Sequence, residues 1–437
     1  MKLRRACISI CAAAMLLTGC SVGGLESSPD AASATGSTGG INLTVTTMYA
    51  GDDGNSVNFK EAVSRWEQET GNTVTDNSVT SDEAFKSRVI MDYQTGAEPD
   101  VLFYFTGVDS NPLVANDRVV PMEEIRQVYP EYASNMREEL IQPSPYNGKI
   151  YCIPVNGYWE GLFVNKAICE AAGVSIPDEN TTWDEFMEMC AQIRDAGYVP
   201  IAASLANVPH YWFEFCIFNY QSVETHAVLP LSVEDEQGQA WVKGLNMIRT
   251  MYESGFFPSN TLSSSDDETT RLFIDGQAAF LLDGSWRMSS IEKSVENIED
   301  YTVTFVPGMG SRRSTDIISG LSTGYYISRK AWEDPEKRDA VVSFVEYMTT
   351  DEMVSKFAEV SATALVNGVQ IDRSRLSSLA LDALAMTEGV TATAEAVQDY
   401  VPVDCRVPVF EGMPALVKGE KDISEAVAEV LRLMEAK

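Results

Sequence analysis

The chain carries 64 acidic side chains and only two histidines, and this frames the chemistry open to it. Glycoside hydrolysis needs two carboxylates at a set separation, but with so many acids some pair is always close, so proximity says nothing. The sequence has no glycine-rich phosphate loop. His210 and His226 lie outside any His-Glu-x-x-His pattern. Of eight cysteines, Cys7, Cys11 and Cys20 fall in the first 20 residues. Cys152, Cys169, Cys190, Cys216 and Cys405 are odd in number and widely spaced, which suits neither a disulfide framework nor zinc. No metal, cofactor or catalytic group is therefore assigned, and the chain is read as a non-enzyme. Three segments instead mix ring faces with hydrogen-bonding groups: Asn156-Gly157-Tyr158-Trp159-Glu160, Val208 to Glu214 and Asp283-Gly284-Ser285-Trp286-Arg287. Such groups suit non-covalent capture of a small molecule.

The elements that must position them read as α/β. Ile41 to Tyr49 is rich in Thr and Val and reads as a strand. A helix follows with Phe59, Ala62, Val63 and Trp66 on one face and Gly71 as its stop. A strand near Val74, a helix after Ser81 and the apolar run Val101 to Phe105 complete an order that predicts a parallel, doubly wound sheet. Thr182-Trp183-Asp184-Glu185 has capping-box spacing, and its helix carries Phe186, Met189, Cys190 and Ile193. Tyr301, Val303 and Phe305 alternate as a strand. The last quarter reads as helical, ending with Asp422 to Glu435.

Residues 1–20 read as an export signal: Lys2, Arg4 and Arg5 precede an apolar stretch from Ala6 to Leu17, too short for a resident span. The stretch ends Leu17-Thr18-Gly19-Cys20, which resembles a bacterial lipobox and implies lipidation of Cys20. Residues 21–40 are rich in Ser, Gly, Ala and Thr and read as a flexible tether spanning about 25 Å. The net charge of −32 repels phosphate backbones, so nucleic acid is not an expected partner.

Several further segments carry a family resemblance. They are Phe59 to Val74, Gly96 to Val101, Asn147-Gly148-Lys149-Ile150-Tyr151-Cys152-Ile153-Pro154 with Asn165-Lys166, Trp183 to Phe186, and Gly276-Gln277-Ala278-Ala279-Phe280 with Asp283 to Trp286. In this order, behind a lipobox, the chain resembles the family 1 extracellular solute-binding proteins of ABC importers, the maltose-binding-protein-like group. The resemblance implies a two-lobed periplasmic-binding-protein-like (type II) fold hinged by crossing strands near Pro154-Val155, Phe305-Val306-Pro307 and Ile327-Ser328. The N-terminal lobe is then 41–154 plus 307–328 and the C-terminal lobe 155–306 plus 329–437. It implies a monomer, lipid-anchored at the outer face of the cell membrane, that delivers a mono- or oligosaccharide to an ABC permease. A non-sugar solute such as a peptide or polyamine, a sensory partner, and a secreted glycoside hydrolase stand as alternatives.

By the same resemblance Trp286 stacks on ligand, Tyr158 contacts it, and His210 falls where the family places a stacking aromatic. Tyr211, Trp212 and Glu160 join them through their segments, and Gly320 to Tyr326 supplies backbone. Trp159 is open between cleft and interior, as are His210 and Tyr104, the latter matching a rim aromatic. Asp52 and Asp53 after the first strand, and Asp109 after the third, are open between hydroxyl acceptors and solvated turn acids. Arg287 is open between the ligand and neighbouring acids.

Overall fold

The computed structural model describes residues 40–51, 53–81, 83–136, 141, 143–155, 157–361 and 371–436. The export signal, Cys20, the tether up to residue 39, Asp52 and Asn156 lie outside the described residues.

Among the described residues, eleven strands form two sheets. In chain order they are β1 (Asn42–Thr46), β2 (Thr73–Asp76), β3 (Val101–Phe105), β4 (Cys152–Ile153), β5 (Tyr158–Asn165), β6 (Val199–Ile201), β7 (Ala278–Gly284), β8 (Tyr301–Thr304), β9 (Asp316–Gly320), β10 (Thr323–Ile327) and β11 (Ala392–Ala394). The first sheet runs β2-β1-β3-β10-β4. Its β1–β3 core is parallel, as the strand and helix alternation predicts, but β10 pairs antiparallel with both β3 and β4. The second sheet runs β11-β9-β5-β7-β6. One edge of β5 is shared: β9 pairs with Tyr158 and Trp159, and β8 with Leu162 to Asn165. Both sheets are thus mixed, because chain returning from the other lobe enters each of them reversed.

The helices form where the pattern places them. Ser56–Thr70 buries Phe59, Ala62 and Trp66 and stops at Gly71, whose φ of 72° favours glycine. Trp183–Asp195 begins with the full Thr182/Glu185 capping box and buries Phe186, Cys190 and Ile193. The final helix, Ile423–Glu435, is capped by Asp422. No described helix is long and apolar enough to cross a membrane.

The crossings depart from expectation at two of three places. The chain first passes from one sheet to the other between β4 and β5. Phe305 and Val306 instead join the cores of the second sheet, and β9 stays with that sheet. The chain returns only between Gly320 and Thr323. It then remains: helices Arg329–Glu333, Arg338–Met348 and Asp351–Ser361 bury Trp332, Val341, Phe344, Val345 and Phe357 among Leu43, Val45, Phe59 and Phe103 of the first lobe. Residues 329–361 therefore pack with the first sheet rather than the second. Leu379, Ala380 and Ala383 pack in the second lobe. An amphipathic helix shows which face it buries but not which of two sheets receives it.

Candidate ligand-binding site

The site forms where β5 and β7 of the second lobe run out toward the first. Side chains of a strand alternate between faces. Tyr158 and Glu160 therefore share one face of β5, and Trp159 takes the other. Trp159 packs with Phe163, Phe273 and Leu281 in the lobe interior, 1% exposed. Of the two places open to it, the structure gives it the interior, as the strand period requires for a residue between Tyr158 and Glu160.

β7 ends at Gly284 and turns at once through Ser285–Arg287. The Trp286 ring folds back over Gly284, where a Cβ would lie 2.2 Å from a ring carbon. Only glycine leaves room for this arrangement. The Trp286 ring stands 5.9 Å from that of Tyr158 and 6.1 Å from that of Tyr211. His210 stands 4.3 Å from Tyr211, both at the start of the helix His210–Phe218. Tyr158 in turn lies against Gly320 at the end of β9. The result is a continuous row, Tyr158–Trp286–Tyr211–His210, with all four rings half-buried.

Behind the row lies a buried polar layer. Glu160 is 2% exposed and its Oε2 has no hydrogen-bond partner. Burial, then the neighbouring carboxyls of Glu214, Asp399 and Asp283, push its pKa well above the usual glutamate range. Burial likewise raises Asp399 to about 7, with Lys86 opposing the shift. Burial lowers His210 to about 3, helped by Lys86 and Arg406, so its imidazole is neutral at pH 7. Glu214 accepts from the backbone N–H groups of Val397 (3.0 Å) and Gln398 (2.9 Å) and faces His226 at 2.7 Å.

The first lobe touches this wall. Gly54 N donates to the Trp286 carbonyl oxygen at 3.3 Å. A Cβ on Gly54 would lie 2.6 Å from a Val360 methyl and 3.1 Å from that carbonyl oxygen. Asp53, beside it, is half-buried, and burial raises it to about 7 although Arg287 opposes the shift.

The other candidates sit elsewhere. Trp212 is interior, stacked on Phe186. Tyr104 is wholly buried against Phe85 and donates to the Lys86 carbonyl oxygen. Both follow from burial of a large apolar ring in the lobe core. Asp109 is not a solvated turn acid: it bridges Lys86 (3.0 Å) of its own lobe and Arg406 (2.9 Å) of the other. Arg287 is taken by acids, with Asp283 at 2.8 Å and Asp266 at 2.6 Å, which leaves its fork directed at protein carboxylates. Sequence reasoning missed Lys86, Glu214, Asp399 and Arg406. Glu214 lay within a flagged segment, but no motif marks the other three.

Two α/β lobes around an aromatic-lined seam define a two-lobed binding protein. Residues 61–368 match the family model of bacterial extracellular solute-binding proteins, and the chain belongs to that family. The multiple sugar-binding protein of Streptococcus mutans serotype c (strain ATCC 700610 / UA159) is 21% identical over 253 residues, covering 56% of this chain. The chain spans 58% of that relative's length. A chitin oligosaccharide binding protein has a similar structure, with a TM-score of 0.79, 19% identity, and coverage of 91% of this chain and 98% of that one. A raffinose complex of another binding protein gives a TM-score of 0.70 at 17% identity, covering 91% of this chain and 99% of that one.

Proposed function

We propose that the protein captures a carbohydrate between its lobes, without chemical change, and presents it to the membrane subunits of an ABC importer. The row Tyr158–Trp286–Tyr211–His210 carries this reading. Half-buried rings offer flat apolar faces to the C–H faces of a sugar, and the polar layer behind them offers acceptors to its hydroxyls. Asp53 and Gly54 approach from the first lobe, so a captured molecule touches both lobes and favours their closure. We assign the lobes as 41–155 plus 321–361 and 157–320 plus 371–436, the partition that keeps each sheet and its helices together. Processing at Cys20, with lipid attached there, leaves this body tethered outside the cell.

Tryptophan fluorescence and calorimetry on the chain from Cys20 onward, titrated with mono- and oligosaccharides, test the reading. A saturable change with at least one sugar, recovered unaltered afterwards, is expected. Silence across the panel, or turnover of the sugar, sinks it.

A further inference from the structure

The unpaired carboxyl of Glu160 deepens that reading, and the inference rests on it. Glu160 shares its strand face with Tyr158, is 2% exposed, and has Oε2 without a partner. The charged groups that act on it are all acidic: Glu214, Asp399 and Asp283. Tyr158 is likewise acted on by acids, namely Asp399, Glu160, Glu214 and Glu395.

The neighbouring cations are already committed. Arg287 spans Asp283 and Asp266. Lys86 and Arg406 both close on Asp109. His226 faces Glu214 and Gln221, and His210 is neutral. Among the described residues, no cation is left for Glu160. An ionised carboxylate buried without a counter-charge is costly, and it is relieved either by a proton or by a cation brought from outside. The rings decide between these. The rings of Tyr158 and Tyr211 stand 5.9 and 6.1 Å from that of Trp286, whose ring lies over Gly284, the cross-strand partner of Glu160, and aromatic faces attract a cation that a carboxylate anchors. A neutral sugar leaves the carboxyl to keep its proton, whereas an ammonium group pairs with the ionised form.

We propose that the captured molecule carries a cationic amino group seated on Glu160 inside the ring set Tyr158–Trp286–Tyr211, and that its class is an amino sugar or an oligosaccharide of amino sugars. Three trimers test this by calorimetry on the chain from Cys20 onward: the free-amine glucosamine trimer, its N-acetylated form and a β-linked glucose trimer, with spermidine as a sugar-free amine. The glucosamine trimer is expected to bind about tenfold or more tighter than the other two trimers. Glu160→Gln keeps the shape and is expected to abolish that preference, with far-UV circular dichroism checking its fold. The wild-type comparison stands even if the variant misfolds. Equal or tighter binding of a neutral trimer, or a preference that survives in E160Q, overturns the amine assignment and leaves carbohydrate capture intact. Spermidine binding alone overturns the sugar class, and binding of none of the four overturns the amino-sugar assignment.

Discussion

Arg406 of the second lobe places Nη2 2.9 Å from Asp109 Oδ1 of the first, with both side chains 3% exposed. The two residues lie 297 positions apart in the chain. Lys86 reaches the other oxygen of Asp109 at 3.0 Å, so one carboxylate holds a cation from each lobe. With the lobes apart, these groups would regain water. Their pairing therefore bears on closure more than on folding of either lobe. Asp109→Asn leaves two buried cations without their counter-charge, and breaking such a pair costs about 2 to 5 kcal/mol. The expected result is a larger radius of gyration in small-angle scattering and ligand affinity roughly thirtyfold weaker or more. A D109N/R406Q double-mutant cycle should show coupling. Unchanged scattering and affinity would count against a latch.

Trp286 depends on Gly284. A side chain at Gly284 meets the indole at 2.2 Å, so Gly284→Ala must displace the ring. Gly284 ends β7 with ordinary backbone angles, φ −99° and ψ 173°, so alanine imposes no backbone strain there. Gly284→Ala is expected to mimic Trp286→Ala, each costing about 2 kcal/mol of binding, while melting temperature stays near wild type. Calorimetry on both variants checks this. Full affinity in G284A would mean that the ring's position does not matter.

Much of the fold was legible because it is local. The helix ending at Gly71, the capping box at Thr182 and the alternation through Tyr301 each depend on residues a few positions apart. The sheet that receives a helix is not local information, so 329–361 was expected in the other lobe. Trp286 and Tyr158 come from segments that mix rings with polar groups, and the fold brings their rings together. Trp159 could have been excluded by the two-residue period of a strand, had β5 been placed there. Arg406 and Asp399 lie on single-turn helices too short for a repeating pattern, and only the tertiary fold brings them to the seam.

Glu214 fastens the helix His210–Phe218 to the turn Val397–Tyr400, accepting two backbone N–H groups while wholly buried. Glu214→Ala strands both donors and His226 without their acceptor. Each unsatisfied buried group costs about 1 to 3 kcal/mol, so a melting temperature lower by several degrees is expected. Glu214→Gln keeps one acceptor oxygen and should recover part of the loss. Thermal unfolding followed by circular dichroism measures both. An E214A curve that overlays wild type would show that this tie carries no stability.

The ligand-free protein should lose stability as pH rises from about 6.5 to 8. Asp53 and Asp399 are raised from 3.8 to about 7 in the folded state, so each binds a proton there that it has released in the unfolded chain. Stability held by such groups is complete below the unfolded value and is lost as pH climbs through the folded one. His210 works the other way. Its value falls from 6.5 to about 3, so it favours unfolding as pH drops from 6.5 toward 3. Above 6.5 that opposition fades, and Asp53 and Asp399 outweigh it, with Glu160, which burial also raises, acting in the same direction. Asp399→Asn fixes one of them in a neutral form and should flatten the decline, and D53N/D399N should flatten it further. Melting temperatures at half-unit pH steps decide the matter. A wild-type curve that is level or rising across 6.5 to 8, or a D53N/D399N curve with the wild-type slope, would mean that these two acids are not held protonated by burial.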